Sequence, residues 1–398
     1  MRLKYIDGLR AFAVLAVVLA HHSVYLVPTA FGVTLFFVIS GFVITRLLLK
    51  EHAIVGGFRV KAFFARRALK ILPPFIVAIS LPTFLLWHKE HFDSMAVFSQ
   101  HFFFYNWYQI FNLNIAAPKP SGNAVLQGSQ VVWSLAVEEQ FYILVALLWF
   151  LLSRKLDAVR SLRITFLVAF FGSVLIRAWI ANFGEFERSG AEIVARIIWG
   201  TDCRLSGIAL GGLLAISVSG AKPLISQSNW LLTQIQKYSR TFFVIGLCLI
   251  PITYLTHKVM NQTFSDIFDL TFQELAAYLL IATGLTQKGW PHAIRRMVEA
   301  KPIQLIGIAS YSIYLVHFPF KRYVTFGLLN LDQDRLMQLG GSIHFWVLTI
   351  FPGLFIAAFI SIIPGLIIHQ IADAPMEKYR RRWRIQSEDS VTNPSSAN

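Results

Sequence analysis

Long apolar segments, separated by short polar stretches, follow one another along almost the whole chain. A helix needs about 20 mostly apolar residues to cross the hydrocarbon core of a bilayer. Ten segments approach this length, so the pattern predicts an all-α integral membrane protein with about ten transmembrane helices around a central intramembrane site. The predicted spans are residues 11–27, 32–49, 71–87, 133–152, 164–182, 205–219, 241–256, 272–287, 303–320 and 345–369. The sixth is short, and a start near Ala195 would give it full length.

The first apolar segment has two interpretations, because the basic sequence MRLK ahead of it also suits a signal peptide. A second full-length apolar segment follows after a tight turn, and no small-x-small cleavage site separates the two. We therefore expect an uncleaved first helix.

Composition excludes an ordinary soluble domain. Hydrophobic residues make up 56% of the chain, charged residues make up 14%, and the mean hydropathy is +0.58. Soluble domains carry about 25% charged residues. We expect one membrane domain over residues 1–385 and a disordered cytoplasmic tail over 386–398, where Ser, Asn, Asp and Thr dominate.

The basic residues predict the orientation. The loops and span ends on the same side of the membrane as the N-terminus hold 25 of the 36 Lys and Arg residues. Cytoplasmic loops are the ones enriched in Lys and Arg, so both termini are predicted to be cytoplasmic. This bias accounts for most of the net charge of +15 without a nucleic-acid partner.

The first span carries two ionisable groups. Arg10 stands at its start, and ten uncharged residues separate it from His21. Eleven residues of helix bring His21 to within about 20° of Arg10's face and about 16 Å further along the axis. Ionisable side chains at this depth are costly and indicate function. We expect the imidazole near mid-membrane and the cation at the surface, with His22 turned away and secondary.

A basic segment, residues 58–71, precedes the third span. On a helix Arg66, Arg67 and Lys70 share a face with Arg59. One interpretation is an interfacial anchor for anionic lipid. The other is a clamp for phosphate groups at the cytoplasmic face, together with Arg10. The sequence leaves both open.

The fourth span begins with polar residues at helical spacing. Ser134, Glu138 and Tyr142 recur every four residues, with Glu139 on their flank. The carboxylates have a structural interpretation, as partners of a buried arginine, and a functional one, in orienting a catalytic imidazole or binding acceptor hydroxyls. The candidates for that arginine are Arg177, Arg196 and Arg204.

Three other features need an interpretation. His317, near the outer end of the ninth span, is a candidate for substrate binding, as are Ser134, Tyr142 and Arg204; a hydrogen-bonded structural histidine is the alternative for His317. Ser40 and Gly41 in the second span favour close helix packing. The aromatic-rich segment 88–132 suits either a re-entrant piece beside a cavity or a simple interfacial anchor. No metal site is predicted, because the two cysteines have no ligand spacing.

Several of these motifs together resemble the membrane acyltransferase-3 family. They run in the family's order across nearly the whole chain: the Arg10-x10-His21 frame, GVTLFFVISGFVITRLLL at 32–49, FFARRALKILP at 63–73, WSLAVEEQFY at 133–142, TDCRLSGIALGGLLA at 201–215 and IGIASYSIYLVHFPF at 306–320. The resemblance implies transfer of an acyl group, usually acetyl, from cytoplasmic acetyl-CoA to a hydroxyl, in the inner membrane of a bacterium. It also implies that His21 is catalytic and that Arg10 and the basic motif are required.

One position departs from the family's pattern. The family has Arg-x-x-Arg before the third span, whereas this chain has Arg67-Ala-Leu-Lys70. Lysine keeps the charge but loses the planar fork that binds an anion through two hydrogen bonds.

The residues are compatible with such chemistry. An imidazole can act as a base or as a nucleophile, and the basic residues can bind a polyanionic donor. We predict His21, Glu138 and Glu139 as the catalytic set and Arg10, Arg66, Arg67 and Lys70 as donor-binding. The expected acceptor is a glycan, a lipid-linked saccharide or a glycosylated small molecule. A glycan transporter or flippase with a proton-coupled histidine is the alternative, and a membrane scaffold is a third.

Overall fold

The computed structural model describes residues 3–22, 24–112, 124–152, 157–183, 190–218, 230–286, 289–322 and 358–383. Every regular element in these ranges is helical, as predicted. The α-helices are α1 (Lys4–His21), α2 (Phe31–Val55), α3 (Val60–Phe75), α4 (Leu81–Glu90), α5 (Ser94–His101), α6 (Tyr105–Phe111), α7 (Val132–Leu152), α8 (Ala158–Phe183), α9 (Gly190–Trp199), α10 (Thr201–Val218), α11 (Trp230–Lys237), α12 (Ser239–Val259), α13 (Gln262–Gly284), α14 (His292–Val298), α15 (Lys301–Arg322), α16 (Ile362–Ile368) and α17 (Ala374–Arg382).

Nine helical stretches of the described residues are long and apolar enough to cross a membrane, which makes the chain a multi-pass membrane protein. They correspond to the second to tenth predicted spans. The sixth begins at Glu192, near the earlier start expected for it, and the last runs over Ala358–Arg382. The first part of the predicted tenth span, residues 345–357, lies outside the described residues, as does the predicted tail.

The first predicted span was misplaced. The helix runs over Lys4–His21 instead of residues 11–27, so His21 is its last residue and does not lie in its middle. The apolar pattern suggested a later start because Lys4, Asp7 and Arg10 were taken to lie outside the helix. Asp7 is in fact buried, and its backbone lies so close to α15 that a Cβ at Gly307 would overlap it.

Helix α2 lies at the centre of the molecule. It packs against α1, α10 and α13, and the two largest clusters of buried apolar side chains lie on opposite faces of it. A side chain at Gly41 would overlap the Ile208 carbonyl of α10. The predicted packing role of Gly41 is therefore confirmed, and small residues here allow the backbones to approach closely.

The third span is longer than its apolar run. Helix α3 begins at Val60, and a π-helical turn, Ile76–Ser80, joins it to α4. The whole stretch reaches Lys89. Arg67 and Lys70 are therefore about 10–15 Å inside a continuous helix, at a rise of about 1.5 Å per residue.

The aromatic-rich segment forms two short helices, α5 and α6. Asp93 caps α5 by accepting hydrogen bonds from the backbone N–H groups of Met95 and Ala96. The Tyr108 hydroxyl donates a third hydrogen bond of 2.6 Å, and it is the main cause that holds the pKa of the Asp93 carboxyl below its usual range. Whether this segment is re-entrant or interfacial stays open, and residues 113–123 lie outside the described ranges.

Candidate active site

A cavity of about 190 Å³ lies between five helices in the interior. It follows one face of α2 from Val33 to Ile44, a rise of eleven residues or about 16 Å. Its polar lining comes from five helices and consists of Arg10, Ser40, Arg67, Lys70, Ser134, Glu138, Ser310, Tyr311 and Tyr314. The basic motif, the first span and the fourth span, which the sequence singled out separately, therefore meet around one space.

An ion pair joins the third and fourth spans at this cavity. Nη2 of Arg67 lies 3.2 Å from Oε1 of Glu138 and 3.8 Å from Oε1 of Glu139. The Arg67 guanidinium also lies 3.9 Å from the centre of the Tyr142 ring. The hydroxyls of Ser40 and Tyr142 donate hydrogen bonds to Glu138. The predicted alignment of Glu138 and Tyr142 on one helix face is confirmed by this contact.

This pairing corrects two expectations. The predicted structural partners of the two glutamates, Arg177, Arg196 and Arg204, all have other contacts, and Arg67 is the partner instead. Arg67 was also expected at the cytoplasmic surface. Glu138 and Glu139 were expected near the outer face, because a fourth span starts there when the N-terminus is cytoplasmic. The arginine and the glutamates touch because α3 starts eleven residues before the apolar run at Ile71 and so carries Arg67 into the membrane interior.

Lys70 and Arg10 complete the basic end of the cavity. The Lys70 ammonium lies 2.5 Å from the buried carboxylate of Asp373, which also binds His369 and Arg380. The buried Nε of Arg10, like that of Arg67, has no hydrogen-bond partner among the described residues. A buried unpaired N–H costs about 1–3 kcal/mol, so a site lined by such a group favours an anionic ligand.

Arg66 is directed elsewhere, although it neighbours Arg67. Its guanidinium lies 2.8 Å from the buried carboxylate of Glu51 and donates a second 2.8 Å hydrogen bond to the Trp383 carbonyl. It does not line the cavity. Consecutive helical residues point about 100° apart, which explains the divergence. Its predicted role in binding a donor stays a prediction.

Tyr314 lies at the other end of the cavity. Its hydroxyl is 2.6 Å from the Ser134 hydroxyl and donates to the Val131 carbonyl at 3.0 Å. Its ring centre is 5.6 Å from that of His317. Tyr314 therefore lines the cavity on one side and contacts a histidine on the other.

His317 in turn contacts His21. Nδ1 of His317 lies 2.7 Å from the Tyr314 carbonyl and Nε2 lies 3.0 Å from Nδ1 of His21, which is also 3.0 Å from the Val17 carbonyl. A carbonyl only accepts, so neutral His317 carries its proton on Nδ1 and accepts at Nε2. His21 then donates from Nδ1, and its Nε2, which has no hydrogen-bond partner among the described residues, keeps a free lone pair. This is the tautomer that a general base or nucleophile requires.

His22 has a different environment. It is fully buried, with Nδ1 2.8 Å from the Val18 carbonyl and Nε2 3.2 Å from the Ser361 hydroxyl. Both of its ring nitrogens are therefore used within the protein, in agreement with the secondary place the sequence assigned to it.

A second buried polar cluster surrounds Arg204. Its guanidinium donates to Thr34 at 3.1 Å and lies over the rings of Phe37 and Trp133, while Nε and Nη1 have no partner among the described residues. Nearby, Arg177 lies 3.7 Å from buried Glu274, which also accepts a 2.6 Å hydrogen bond from Ser206. Glu274 thus pairs with Arg177, and Arg204 lies behind Phe37, which lines the cavity.

Four groups at or beside this site were not predicted from the sequence, namely Asp373, Ser310, Tyr311 and Tyr314. Tyr314 had a signal, because Ser310, Tyr314 and His317 recur at helical spacing on the same face of α15. Asp373 had none, because only the return of the last helix to α3 brings it beside Lys70.

Comparisons with known proteins agree with these features. A family profile described as an acyltransferase domain, acyltransferase-3, matches residues 3–368. A Staphylococcus aureus (strain COL) protein provisionally named an O-acetyltransferase is 29% identical over 335 residues, which cover 81% of this chain and 52% of that protein. O-acetyltransferase OatA of Staphylococcus aureus (strain NCTC 8325 / PS 47) is 26% identical over 328 residues, 80% of this chain and 50% of OatA.

The chain thus spans about half the length of the curated relatives it matches, and no solved structure is significantly similar to it. With the profile spanning nearly all of the helical core and its polar cavity, the chain belongs to the membrane acyltransferase-3 family.

Proposed function

We propose that this protein is a membrane O-acyltransferase. It moves an acyl group, most simply acetyl, from acetyl-CoA on the cytoplasmic side to a hydroxyl of a carbohydrate-containing acceptor at or beyond the outer face of a bacterial inner membrane. The observation that carries the proposal is the cavity itself. It joins three cations at one end to Tyr314 at the other, where the hydrogen-bonded pair of His317 and His21 begins.

The basic end suits the phosphates of the donor. Arg10, Arg67 and Lys70 present guanidinium and ammonium groups to one narrow space, and charge-assisted contacts of this kind are among the strongest hydrogen bonds in proteins. The positive-inside rule places this end toward the cytoplasm together with both termini. A long donor held here would direct its thioester along α2 toward Tyr314.

The pair of His317 and His21, beyond the Tyr314 end of the cavity, suits the transfer step. Nε2 of His21 takes the proton of the acceptor hydroxyl while its oxygen attacks the thioester carbonyl. The carbon–sulfur bond then breaks, and the departing thiolate recovers the proton from the imidazolium. In a second route, the same lone pair of His21 attacks the thioester carbonyl and forms a transient acyl-histidine, from which the acceptor hydroxyl takes the acyl group. Glu138 is held by Arg67 on the donor side of the cavity, and its contribution is to position that guanidinium.

One pair of side chains at the outer level is available to an acceptor. The hydroxyls of Ser134 and Tyr314 contact each other and line the cavity. Arg204 lies behind Phe37, and its predicted role in binding substrate stays a prediction. Tyr142, by contrast, is fully buried against Arg67 and Glu138, so its contribution would be to hold the ion pair.

The alternative of a glycan flippase is less compatible with this cavity. Sites for drug-sized molecules occupy about 300–1,000 Å³, whereas this cavity occupies about 190 Å³. It can hold a thin chain, but an oligosaccharide would need a much wider passage.

Sealed membrane vesicles of both orientations, supplied externally with labelled acetyl-CoA and containing native acceptor, test the proposal. Label should enter the acceptor in inside-out vesicles only. His21→Ala should abolish it, since general-base catalysis is worth about 10²–10⁴-fold. His22→Ala is the matched control and should retain activity per folded molecule. Equal labelling in both orientations, or near-normal transfer by His21→Ala, would contradict the proposal.

A further inference from the structure

An open cleft of about 620 Å³ lies between the start of α3 and the C-terminal helix α17. Its lining consists of Arg59, Leu69, Met376, Tyr379, Arg382 and Trp383. Residues 369–383 lie beyond the part of the chain matched by the family profile, which ends at residue 368. We propose that this cleft binds the nucleotide end of acyl-CoA, an adenosine carrying phosphate groups. The inference rests on the acyl-CoA donor of the proposed function and adds to it a specific site made by the C-terminal helix.

The side chains match both halves of such a ligand. Tyr379 and Trp383 are 41% and 40% exposed and line the cleft, and aromatic rings are surfaces on which a purine stacks. Arg382 lies 5.4 Å from the Tyr379 ring centre, and Arg59 is exposed on the opposite wall. The guanidinium fork of arginine binds phosphate oxygens through two hydrogen bonds.

The charges around the cleft leave these two arginines available. Glu377 binds Arg380 and Arg381, and Asp373 binds Lys70, His369 and Arg380. No ion pair among the described residues involves Arg59 or Arg382. The cleft therefore has two cations whose charge is not matched by a carboxylate.

The cleft lies next to the cavity along α3. Leu69 lines the cleft and Lys70, the next residue, lines the cavity. Two contacts tie α3 to the C-terminal helix between them, from Arg66 to the Trp383 carbonyl and from Lys70 to Asp373. A ligand with its nucleotide in the cleft would have its arm beside the basic end of the cavity. An anionic lipid headgroup shares the phosphate chemistry but offers no base for the two aromatic rings.

Donor truncation tests the inference. Acetyl-CoA is compared with S-acetylpantetheine, which lacks the nucleotide, in proteoliposomes of the full chain. In the double variant Arg59→Ala/Arg382→Ala, and separately in Trp383→Ala, the KM for acetyl-CoA should rise about tenfold or more, while the KM for S-acetylpantetheine and kcat should stay unchanged. Arg381→Ala is the matched control, because Arg381 is a 71% exposed arginine of the same helix outside the cleft. It should change neither KM.

Binding of adenosine 3′,5′-bisphosphate to the detergent-solubilised protein separates this inference from the proposed function. Wild-type binding that the cleft variants weaken about tenfold would support the cleft even if no acyl transfer were found. Transfer by the wild type with KM and nucleotide binding unaltered in the variants would overturn the cleft while leaving the function intact. An equal loss with both donors, or a loss that appears only in vesicles containing anionic phospholipid, would also overturn it, by indicating a structural or lipid-binding role.

Discussion

Nε2 of His317 accepts a 3.0 Å hydrogen bond from Nδ1 of His21, although the two residues are 296 positions apart in the chain. The Tyr314 carbonyl orients His317 from the other side at 2.7 Å. In the proposed mechanism His317 therefore positions the imidazole of His21, whose Nε2 carries the reactive lone pair.

His317→Ala should lower kcat by about 10²-fold, since an error of about 1 Å in the placement of a catalytic group costs this much. The KM for acetyl-CoA should stay unchanged, because the site proposed for the donor's phosphates is at the other end of the cavity. His317→Gln, whose amide can still accept from His21, should recover part of the loss. Steady-state kinetics measure both quantities. A rise in KM with kcat preserved would show that His317 binds substrate instead, as the sequence analysis suggested.

Arg10 and Arg66 should respond differently to substitution. Arg10→Ala should raise the KM for acetyl-CoA with little loss of stability, because its buried Nε has no partner to lose. A lost charge-assisted contact is worth about 1.5–3 kcal/mol. Arg66→Ala should instead lower stability by about 3–5 kcal/mol, because it leaves the buried Glu51 carboxylate unpaired. Thermal unfolding and KM for each variant test this contrast. A stable Arg66→Ala protein with strongly weakened donor binding would support the original assignment of Arg66 to the donor clamp.

Lys70→Arg restores the residue that the family pattern has at this position, and we expect it to be tolerated. A guanidinium can keep the contact with Asp373 and present a second N–H edge to the cavity. The KM for acetyl-CoA should stay the same or fall by a few-fold. Lys70→Gln, which removes the charge, should raise it. Severe loss of activity in Lys70→Arg would mean that the space around Asp373 admits only the slimmer ammonium.

Glu274→Ala should destabilise the protein strongly. Its carboxylate is 1% exposed and is the acidic group beside Arg177, with Arg204 close by. Removing one partner of a buried ion pair costs about 3–5 kcal/mol. Glu377→Ala is the control, because its side chain is 33% exposed and exposed pairs contribute about 0–1 kcal/mol. Thermal unfolding in detergent measures both. Similar melting temperatures for the two variants would show that the Arg204 cluster does not need its carboxylate.

Apolar run length by itself determined the fold class and nearly all of the spans, because the bilayer imposes one requirement, about 20 apolar residues, on every crossing helix. It misplaced α1 and the start of α3 for a related reason. A length rule treats Asp7, Arg10 and Arg67 as residues outside the membrane, whereas a polytopic protein can bury a charge against its own helices. The i, i+4 spacing of Glu138 and Tyr142 was likewise readable, since a helix places such residues on one face whatever surrounds it.

The tertiary structure decided which polar side chains of separate helices contact each other. The sequence suggested Arg177, Arg196 and Arg204 as partners of the two glutamates, whereas in the structure the partner is Arg67. Pairing depends on the depth and rotation of separate helices, which the sequence does not show. The same holds for His317 with His21 and for Asp373 with Lys70, pairs about 300 residues apart whose members carry no mark of one another. Residue type and spacing thus determined which side chains were unusual for a membrane helix. Only the packing of the helices decided which of these side chains meet. Such a contact lowers the cost of burying polar groups from two distant segments, but it leaves no periodic pattern in the sequence of either segment.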